Sequence, residues 1–418
     1  MRHLIFKKIL LSIPLLAFSF LTIQAQNAPA NICKGIVRDK KTGNYLAFTS
    51  VALQGTNIRT VANSVGEFAL KVPSTLANSI LEFQYIGYQS RRLPVSNFGT
   101  NLMTVELENV AVELPEVSVI SSDAEALVLA MFAHKGTNYS NQEEHFTAFY
   151  RETIRKNRSY VSLSESVVDV YKQAYTSYKA DGVTTYKARK KTDYSKVDTL
   201  LFKLMGGPFN ALYLDLIKYP EMIFTDNMKE NYEFSFDRST LSDQKRIFIV
   251  NFKQKPLIDD PLYAGKLYIV AQTMALKSAV FKLNVQNREA ASTMFIFKKP
   301  LRATVYPLEA TYRIDFFEKD NKWYYGYSRI ELALRVNWKK KLFHSTFYST
   351  IEMAATEREK SIDKKASWKK ERIHPTIVIA DEVSGFADPD FWGEFNVIEP
   401  EKPIEAAIRK IQKQLQKK

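Results

Sequence analysis

From Ile32 to about Leu107, apolar and polar residues alternate in short runs that stop at turn formers. Ile36 to Arg38 leads into Asp39 to Gly43, and Thr49 to Leu53 stops at Gly55-Thr56-Asn57. Glu67 to Val72 follows Gly66, and Ile80 to Tyr85 ends at Gly87-Tyr88. Period-two runs broken by Gly, Asn and Pro every ~10 residues predict a small antiparallel β-sandwich over residues 32–110. A second period-two stretch, residues 145–355, is rich in Tyr, Phe and Val. Strands are expected at Phe146 to Ile154, Tyr160 to Tyr175, Arg246 to Phe252, Leu262 to Ala271 and Ala275 to Val285. The series continues with Ser292 to Phe297, Ala310 to Phe317, Tyr324 to Val336 and Leu342 to Met353. Short polar turns between them, such as Lys319-Asp320-Asn321-Lys322, favour an antiparallel meander. Its apolar face must be covered, either by curling around helices or by closing on itself. The fold class predicted is mainly β, a sandwich plus a larger curved, half-barrel-like antiparallel sheet with a few helices.

Helical spacing occurs in three places. Leu127, Ala130, Met131 and His134 predict a helix over Asp123 to Lys135, capped by Ser122 or Asp123 and ended by Gly136, within a linker at 111–144. Between Thr199 and Pro220, Leu200, Leu201, Leu204, Leu212, Leu216 and Ile217 predict two short helices broken at Gly206-Gly207-Pro208. After a basic loop and extended segment at 356–402, Ile404, Ile408, Ile411 and Leu415 give residues 403–418 an apolar helical stripe opposite Arg409, Lys410, Lys413, Lys417 and Lys418. That stripe either docks on the protein itself or makes peripheral contact with a membrane.

At the start of the chain, Arg2, Lys7 and Lys8 precede the apolar stretch Ile9 to Ile23, and Ile23-Gln24-Ala25 offers a cleavage tripeptide. Residues 1–25 are expected to be a signal peptide rather than an uncleaved anchor, because the stretch is short for a span and contains Pro14. Export to the periplasm or outer membrane follows. Cys33, the one cysteine, follows Ile32 where lipidation needs a small residue, so it reads as a buried strand residue. A single cysteine excludes a disulfide framework and multi-cysteine metal sites.

The formal charge is +14, and loss of Arg2, Lys7 and Lys8 leaves +11. The excess is clustered at Lys187 to Lys191, Lys339 to Lys341 and Ser361 to Arg372. Such runs read as solvated loops or strand ends rather than a nucleic-acid surface, and no nucleic-acid partner is expected. Phosphate-bearing lipid headgroups or polysaccharide are the polyanions an exported protein meets.

The series Gly35-x-Val37-x-Asp39, Thr42-Gly43, Val51, Gly55-Thr56, Gly66-x-Phe68, Phe83 and Gly87-Tyr88 resembles the carboxypeptidase-regulatory-like domain of exported Bacteroidota proteins. The resemblance implies a seven-stranded transthyretin-like or immunoglobulin-like sandwich. Asn63 stands where the family often has Asp, with the same turn chemistry. It implies no peptidase. Leu114 to Val119 resembles the segment after this sandwich in outer-membrane TonB-dependent receptors, although the chain is too short for their barrel. Tyr263 to Ile269 followed by Thr273 to Val280 is similar to a glycine, strand, turn, strand element of periplasmic lipoprotein carriers. Phe149-Tyr150-Arg151-Glu152 and Asp390-Phe391-Trp392-x-x-Phe395-Asn396-Val397-Ile398 resemble recurring elements of uncharacterised Bacteroidota proteins that pair the sandwich with such a sheet. A closed outer-membrane barrel is the competing architecture; Lys266, Lys277, Lys282, Arg313 and Asp315 interrupt the faces it would expose to lipid.

Catalytic motifs fail. His134, His145, His344 and His374 form no H-E-x-x-H, and there is no Walker A, no G-x-S-x-G and no C-x-x-C. Ser361-x-x-Lys364 and Ser367-x-x-Lys370 fall in a lysine-rich run, and Asp259-Asp260 and Asp388-x-Asp390 sit beside prolines as turn formers. No catalytic, cofactor or metal residue is assigned, and the ligand-binding residues remain open. The expected protein is an exported, non-enzymatic envelope protein. It buries a lipid-like or glycolipid-like ligand between the curved sheet and the Leu200 to Ile217 helices, with Tyr and Phe side chains lining the site. The alternatives are an interaction module of an outer-membrane assembly and, third, an unrecognised hydrolase.

Overall fold

The computed structural model describes residues 31–110, 123–193, 206–224, 227–295, 303–339, 344–359, 373 and 384–416. The expected signal peptide, Leu114 to Val119, Leu200 to Leu204, the Ser361 to Arg372 run and His374 lie outside them.

The N-terminal part forms two sheets. β1 (Asn31–Asp39), β4 (Glu67–Val72) and β7 (Met103–Leu107) pair in the order β4-β1-β7, with β7 parallel to β1. β2 (Ser50–Leu53), β3 (Arg59–Val61), β5 (Ile80–Gln84) and β6 (Arg91–Pro94) pair as β3-β2-β5-β6. The inward residues of both sheets, among them Val37, Val51, Phe68, Leu70, Phe83 and Val105, share one core. The predicted turns carry it: Gly43 and Gly66 sit at φ +73° and +76°, and a Cβ on Gly66 would lie 2.6 Å from the Val37 carbonyl oxygen. Cys33 is buried, as its strand position predicts, and burial pushes its thiol up to about 11.

The rest is an open, curved antiparallel sheet. Its order is β10 (Gly182–Thr192), β9 (Ser159–Lys172), β8 (Glu144–Lys156), β18 (Ser345–Glu359), β17 (Lys322–Trp338), β16 (Ala303–Lys319), β15 (Leu276–Leu283), β14 (Tyr263–Val270), β13 (Lys245–Gln254) and β11 (Tyr232–Phe236). β12 (Thr240–Ser242) also pairs with β13. Neighbouring strands are consecutive in the chain except where β18 returns to β8 and where β11 pairs with β13. The sheet is not a closed barrel, with β10 and β11 as its edges. On β14, Gly265 lets β15 close in; a Cβ there would fall 2.4 Å from the Phe281 Cβ.

Four elements depart from the expected pattern. Ser292 to Phe297 was expected as a strand, but Arg288–Phe295 is a helix, α5 in chain order. Asn287 accepts from the Ala290 amide and the Ala290-Ala291 pair favours helix, so a local cap outweighs the apolar run. The helix capped by Asp123, α1 (Ala124–Ala133), does not end at Gly136; it breaks at His134 and gives way to one turn, α2 (Lys135–Asn138). Between Gly206 and Met222 the chain forms α3 (Pro208–Leu212) and a 3-10 turn at Pro220–Met222. The Lys187 to Lys191 run is not merely solvated: it lies in β10, and its Arg189 is buried.

One face of the large sheet, here the inner face, packs against α1, α3, α4 (Met228–Asn231) and α5 around the main core. The outer face is covered by the N-terminal sheets and by residues 384–416, including α6 (Lys402–Leu415). The stripe of α6 docks on the protein itself: Ile404, Ile408, Ile411 and Leu415 pack with Tyr160, Leu163 and Phe386.

Under this cover runs a row of alternating charge. Arg189, Glu165, Arg151, Glu352 and Arg329 stand opposite one another on β10, β9, β8, β18 and β17. Glu165 receives Arg151 Nε and Arg189 Nε, each at 2.7 Å, and Glu352 receives Arg151 at 3.1 Å and Arg329 at 2.9 Å. Arg151 also donates to the Ile398 carbonyl at 2.9 Å. Trp392 and Phe386 lie over the Arg189 guanidinium at 5.0 and 4.6 Å. Phe48 lies over Arg329 at 5.0 Å and stacks on Tyr327, and it takes a φ of +64°, a costly backbone for a bulky residue. Burial alone would raise the Glu165 carboxyl, but Arg151 and Arg189 outweigh it and hold the group below the usual glutamate range.

Glu165→Gln leaves two buried guanidinium groups short of charge, so urea unfolding should show a loss of about 3–5 kcal/mol. Glu331→Gln, at the half-exposed end of the row, should cost under about 1 kcal/mol. Because the folded pKa of Glu165 is depressed, its contribution is present above the ordinary glutamate pKa of about 4.3 and lost as pH falls through the folded value. The gap between wild type and Glu165→Gln should therefore narrow below about pH 4.

Candidate functional site

Side chains on a strand alternate between faces, so the residues between those of the charge row project from the inner face. The register places three successive inner rows. The first runs Ala188, Ser166, Tyr150, Met353, Ser328, Ile314 from β10 to β16. The second runs Lys190, Ser164, Glu152, Ile351, Ile330, Tyr312, and the third Thr192, Ser162, Ile154, Ser349, Leu332, Ala310. The grid is polar on β8 to β10 and mostly apolar on β16 to β18, a division unusual for a face that packs inward.

The hydroxyls of Ser164, Ser166 and Ser349 are buried and have no hydrogen-bond partner among the described residues. Ser164 and Ser166 are 2% and 0% exposed. Ser162, in the same column, is satisfied by Thr192 at 2.9 Å. Buried hydroxyls of native proteins are normally paired, since an unpaired one costs about 1–3 kcal/mol. Glu152 stands opposite Ser164 and accepts the Tyr150 hydroxyl at 2.8 Å. Burial raises its carboxyl above the usual range, offset in part by the Tyr150 hydrogen bond and the charge of Lys190. Glu152, Ala188, Lys190 and Ile330 keep partial exposure, so the middle of the grid is reached from solvent.

The neighbouring part of the inner face is closed by the chain from Gly206 to Phe224. Ser328 donates to the Ala211 carbonyl at 3.0 Å and pairs with the Tyr325 hydroxyl at 2.6 Å, seating α3 on β17. A buried cluster pins the far end. Lys172 on β9 lies 2.9 Å from Asp181 and 2.8 Å from Asp215, all 1% exposed or less at the side chain. Asp215 also accepts the Tyr175 hydroxyl at 2.8 Å and the amides of Ile217 and Lys218. The predicted Leu212, Leu216 and Ile217 are buried here. With every group partnered, this cluster fastens a covering segment.

Cavities of about 320 and 240 Å³ follow the seam between the N-terminal sheets and the outer face. Ion pairs run along it, Arg92 with Glu82, Lys245 with Glu318 and Arg313 with Asp315, and burial pushes the Lys277 amine beside them below its usual range. This is a polar seam. Among the described residues no group of three or more His, Cys, Asp or Glu could hold a metal ion, and no helix is long and apolar enough to cross a membrane.

Tyr150 and Glu152, quoted for their resemblance, thus fall in the site, and Phe149 and Arg151, alternating with them, face the tail, with Phe149 against Trp392 at 5.5 Å. Ser164, Ser166 and Ser349 were not singled out from the sequence. The run Ser162-x-Ser164-x-Ser166 in a strand otherwise built of Val, Leu and Tyr was the available signal.

Asp215→Asn should weaken the seat of the covering segment by about 2–3 kcal/mol. Hydrogen exchange should quicken over residues 208–218 while β13 and β14 stay protected.

Residues 33–119 match the model of the CarboxypepD_reg-like domain. No curated protein matches the chain. Among solved structures, a LolA superfamily protein of Nitrosomonas europaea is similar over 59% of this chain and 98% of its own, at 8% identity and TM-score 0.23. A DUF1329 family protein of Desulfovibrio piger covers 58% of this chain and 96% of its own, at 10% identity and TM-score 0.23. The MucA/MucB complex of Pseudomonas aeruginosa covers 62% and 99%, at 8% identity and TM-score 0.17. Likenesses this low assign the chain neither a ligand nor a partner; the family match supports a CarboxypepD_reg-like domain over residues 33–119.

Proposed function

We propose that this is an exported, non-catalytic protein of the cell envelope whose large sheet binds an amphiphilic, lipid-like ligand on its inner face. The observation that carries this reading is the divided grid. Unpartnered hydroxyls of Ser164 and Ser166 beside Glu152 adjoin an apolar floor of Ile351, Ile330 and Leu332. A ligand with a polar end and an apolar end satisfies both halves at once, gaining from its own apolar chain leaving water and from hydrogen bonds otherwise unmade. The segment seated by Ser328 and Lys172 bounds the apolar part. Export rests on the leader pattern of residues 1–25. The absence of a reaction rests on the paired state of the buried carboxylates and lysine at Lys172, Asp181 and Asp215 and on the failed motifs.

The test is native mass spectrometry of the protein purified from its own envelope, followed by organic extraction. A stoichiometric adduct that extracts as a lipid or glycolipid is expected. An empty, monodisperse chain that also fails to take up a long-chain amphiphile would refute the reading and favour a partner-binding module.

A further inference from the structure

We propose that the β8–β9–β10 half of the grid is a headgroup site for an uncharged, hydroxyl-rich amphiphile of the glycolipid class, with Ser164, Ser166 and Glu152 as the residues that select the headgroup. This rests on the ligand-binding reading above and goes further by naming the chemistry of the polar end.

The chemistry of the polar half decides the class. A serine hydroxyl both donates and accepts, and so does a sugar hydroxyl, so the unpartnered pair Ser164 and Ser166 can exchange hydrogen bonds with neighbouring sugar hydroxyls in either sense. The two serines stand two residues apart on β9, and Glu152 faces Ser164 from β8, so three polar groups converge on one patch. Ser349, two strand spacings or roughly 10 Å from the β9 column, marks the patch's far side. That span suits one or two sugar rings.

Charged headgroups fit less well. A phosphate would bring its negative charge against the Glu152 carboxyl; the cation of the same row, Lys190, already offsets that carboxyl's charge, and Arg151 and Arg189 point to the outer face and are engaged there. A quaternary ammonium would find Glu152 but would leave the serine hydroxyls unpaired, since it has no donor or acceptor to offer them. The apolar chain would leave the patch across Ile351 and Ile330 toward Leu332 and Phe347. Ile351, Leu332 and Phe347 are 2%, 4% and 3% exposed, so the chain enters by displacing what now covers them, while the outer charge row holds the strands in register.

The experiment compares three amphiphiles that share a twelve-carbon chain, each below its critical micelle concentration: dodecyl maltoside, dodecylphosphocholine and dodecyltrimethylammonium. Binding to the delipidated full chain is followed by calorimetry. The maltoside is expected to bind at least about ten-fold more tightly than either of the others. Ser164→Ala with Ser166→Ala should weaken the maltoside by about five-fold per hydroxyl and leave the other two unchanged. The same substitutions remove unpaired buried hydroxyls, so the unfolding midpoint of the empty protein should hold or rise, whereas serines with an internal structural role would lower it. Equal binding of all three, or a preference for either charged headgroup, overturns the headgroup assignment while the ligand-binding reading stands. Failure of all three to bind overturns both.

Discussion

Five buried charges in a row across five adjacent strands are the constraint on which the rest of this molecule depends. Arg189, Glu165, Arg151, Glu352 and Arg329 are each desolvated, and each is tolerable only while its neighbours stand opposite it. A slip of any one strand by a single residue would turn its charge into the apolar inner core and strand its partners. The row therefore fixes register together with the buried apolar core on the inner face. It also needs a cover, because open to water its pairs would be weak and screened. The cover comes from both ends of the chain: Phe48 from the N-terminal sheets, and Phe386, Trp392 and the Ile398 carbonyl from the tail.

The strands that carry the charge row outward carry the grid of serines, Glu152 and isoleucines inward, and the two faces are offset by a single residue. A binding surface needs side chains held in place before the ligand arrives, since ordering them later subtracts from affinity. The row supplies that order from behind without occupying the surface itself. The N-terminal sheets act in the same way, as a clamp: Thr60 and Asn63 donate to the Val397 and Glu399 carbonyls, and Lys71 pairs with Asn396, tying sandwich and tail together over the row.

Much of the fold was legible because it rests on local rules. The turns at Gly43 and Gly66, the cap at Asp123 and the apolar stripe of the last helix are each read within a few residues, and each stands in the structure. The long strands were legible by alternation. What was hidden depends on partners far away in the chain. Arg189 in a run of lysines looks solvated until Glu165 on the next strand and Trp392 in the tail are placed beside it. The two quoted elements around Phe149 and Trp392 could be recognised separately, but that their rings meet could not. The serine column was hidden for another reason: serine is common at strand surfaces, and only the register shows that these hydroxyls face inward without partners. Ser292 to Phe297 misled because an apolar run of that length suits either a strand or a helix, and Asn287, just upstream, decides between them.

The central claim is that the inner face of β8, β9 and β18, and not the polar seam on the other side of the sheet, receives the apolar part of a ligand. It is tested most directly by distance-dependent quenching. The one native thiol, Cys33, is buried and its pKa is raised to about 11, so a fluorescent label goes to an introduced cysteine. Labels at Lys190→Cys on the inner grid and at Lys319→Cys on the seam would be titrated with an amphiphile brominated along its chain. Saturable quenching at position 190 with none at 319 is the predicted result. Quenching at 319 alone would place the ligand in the seam and contradict the account.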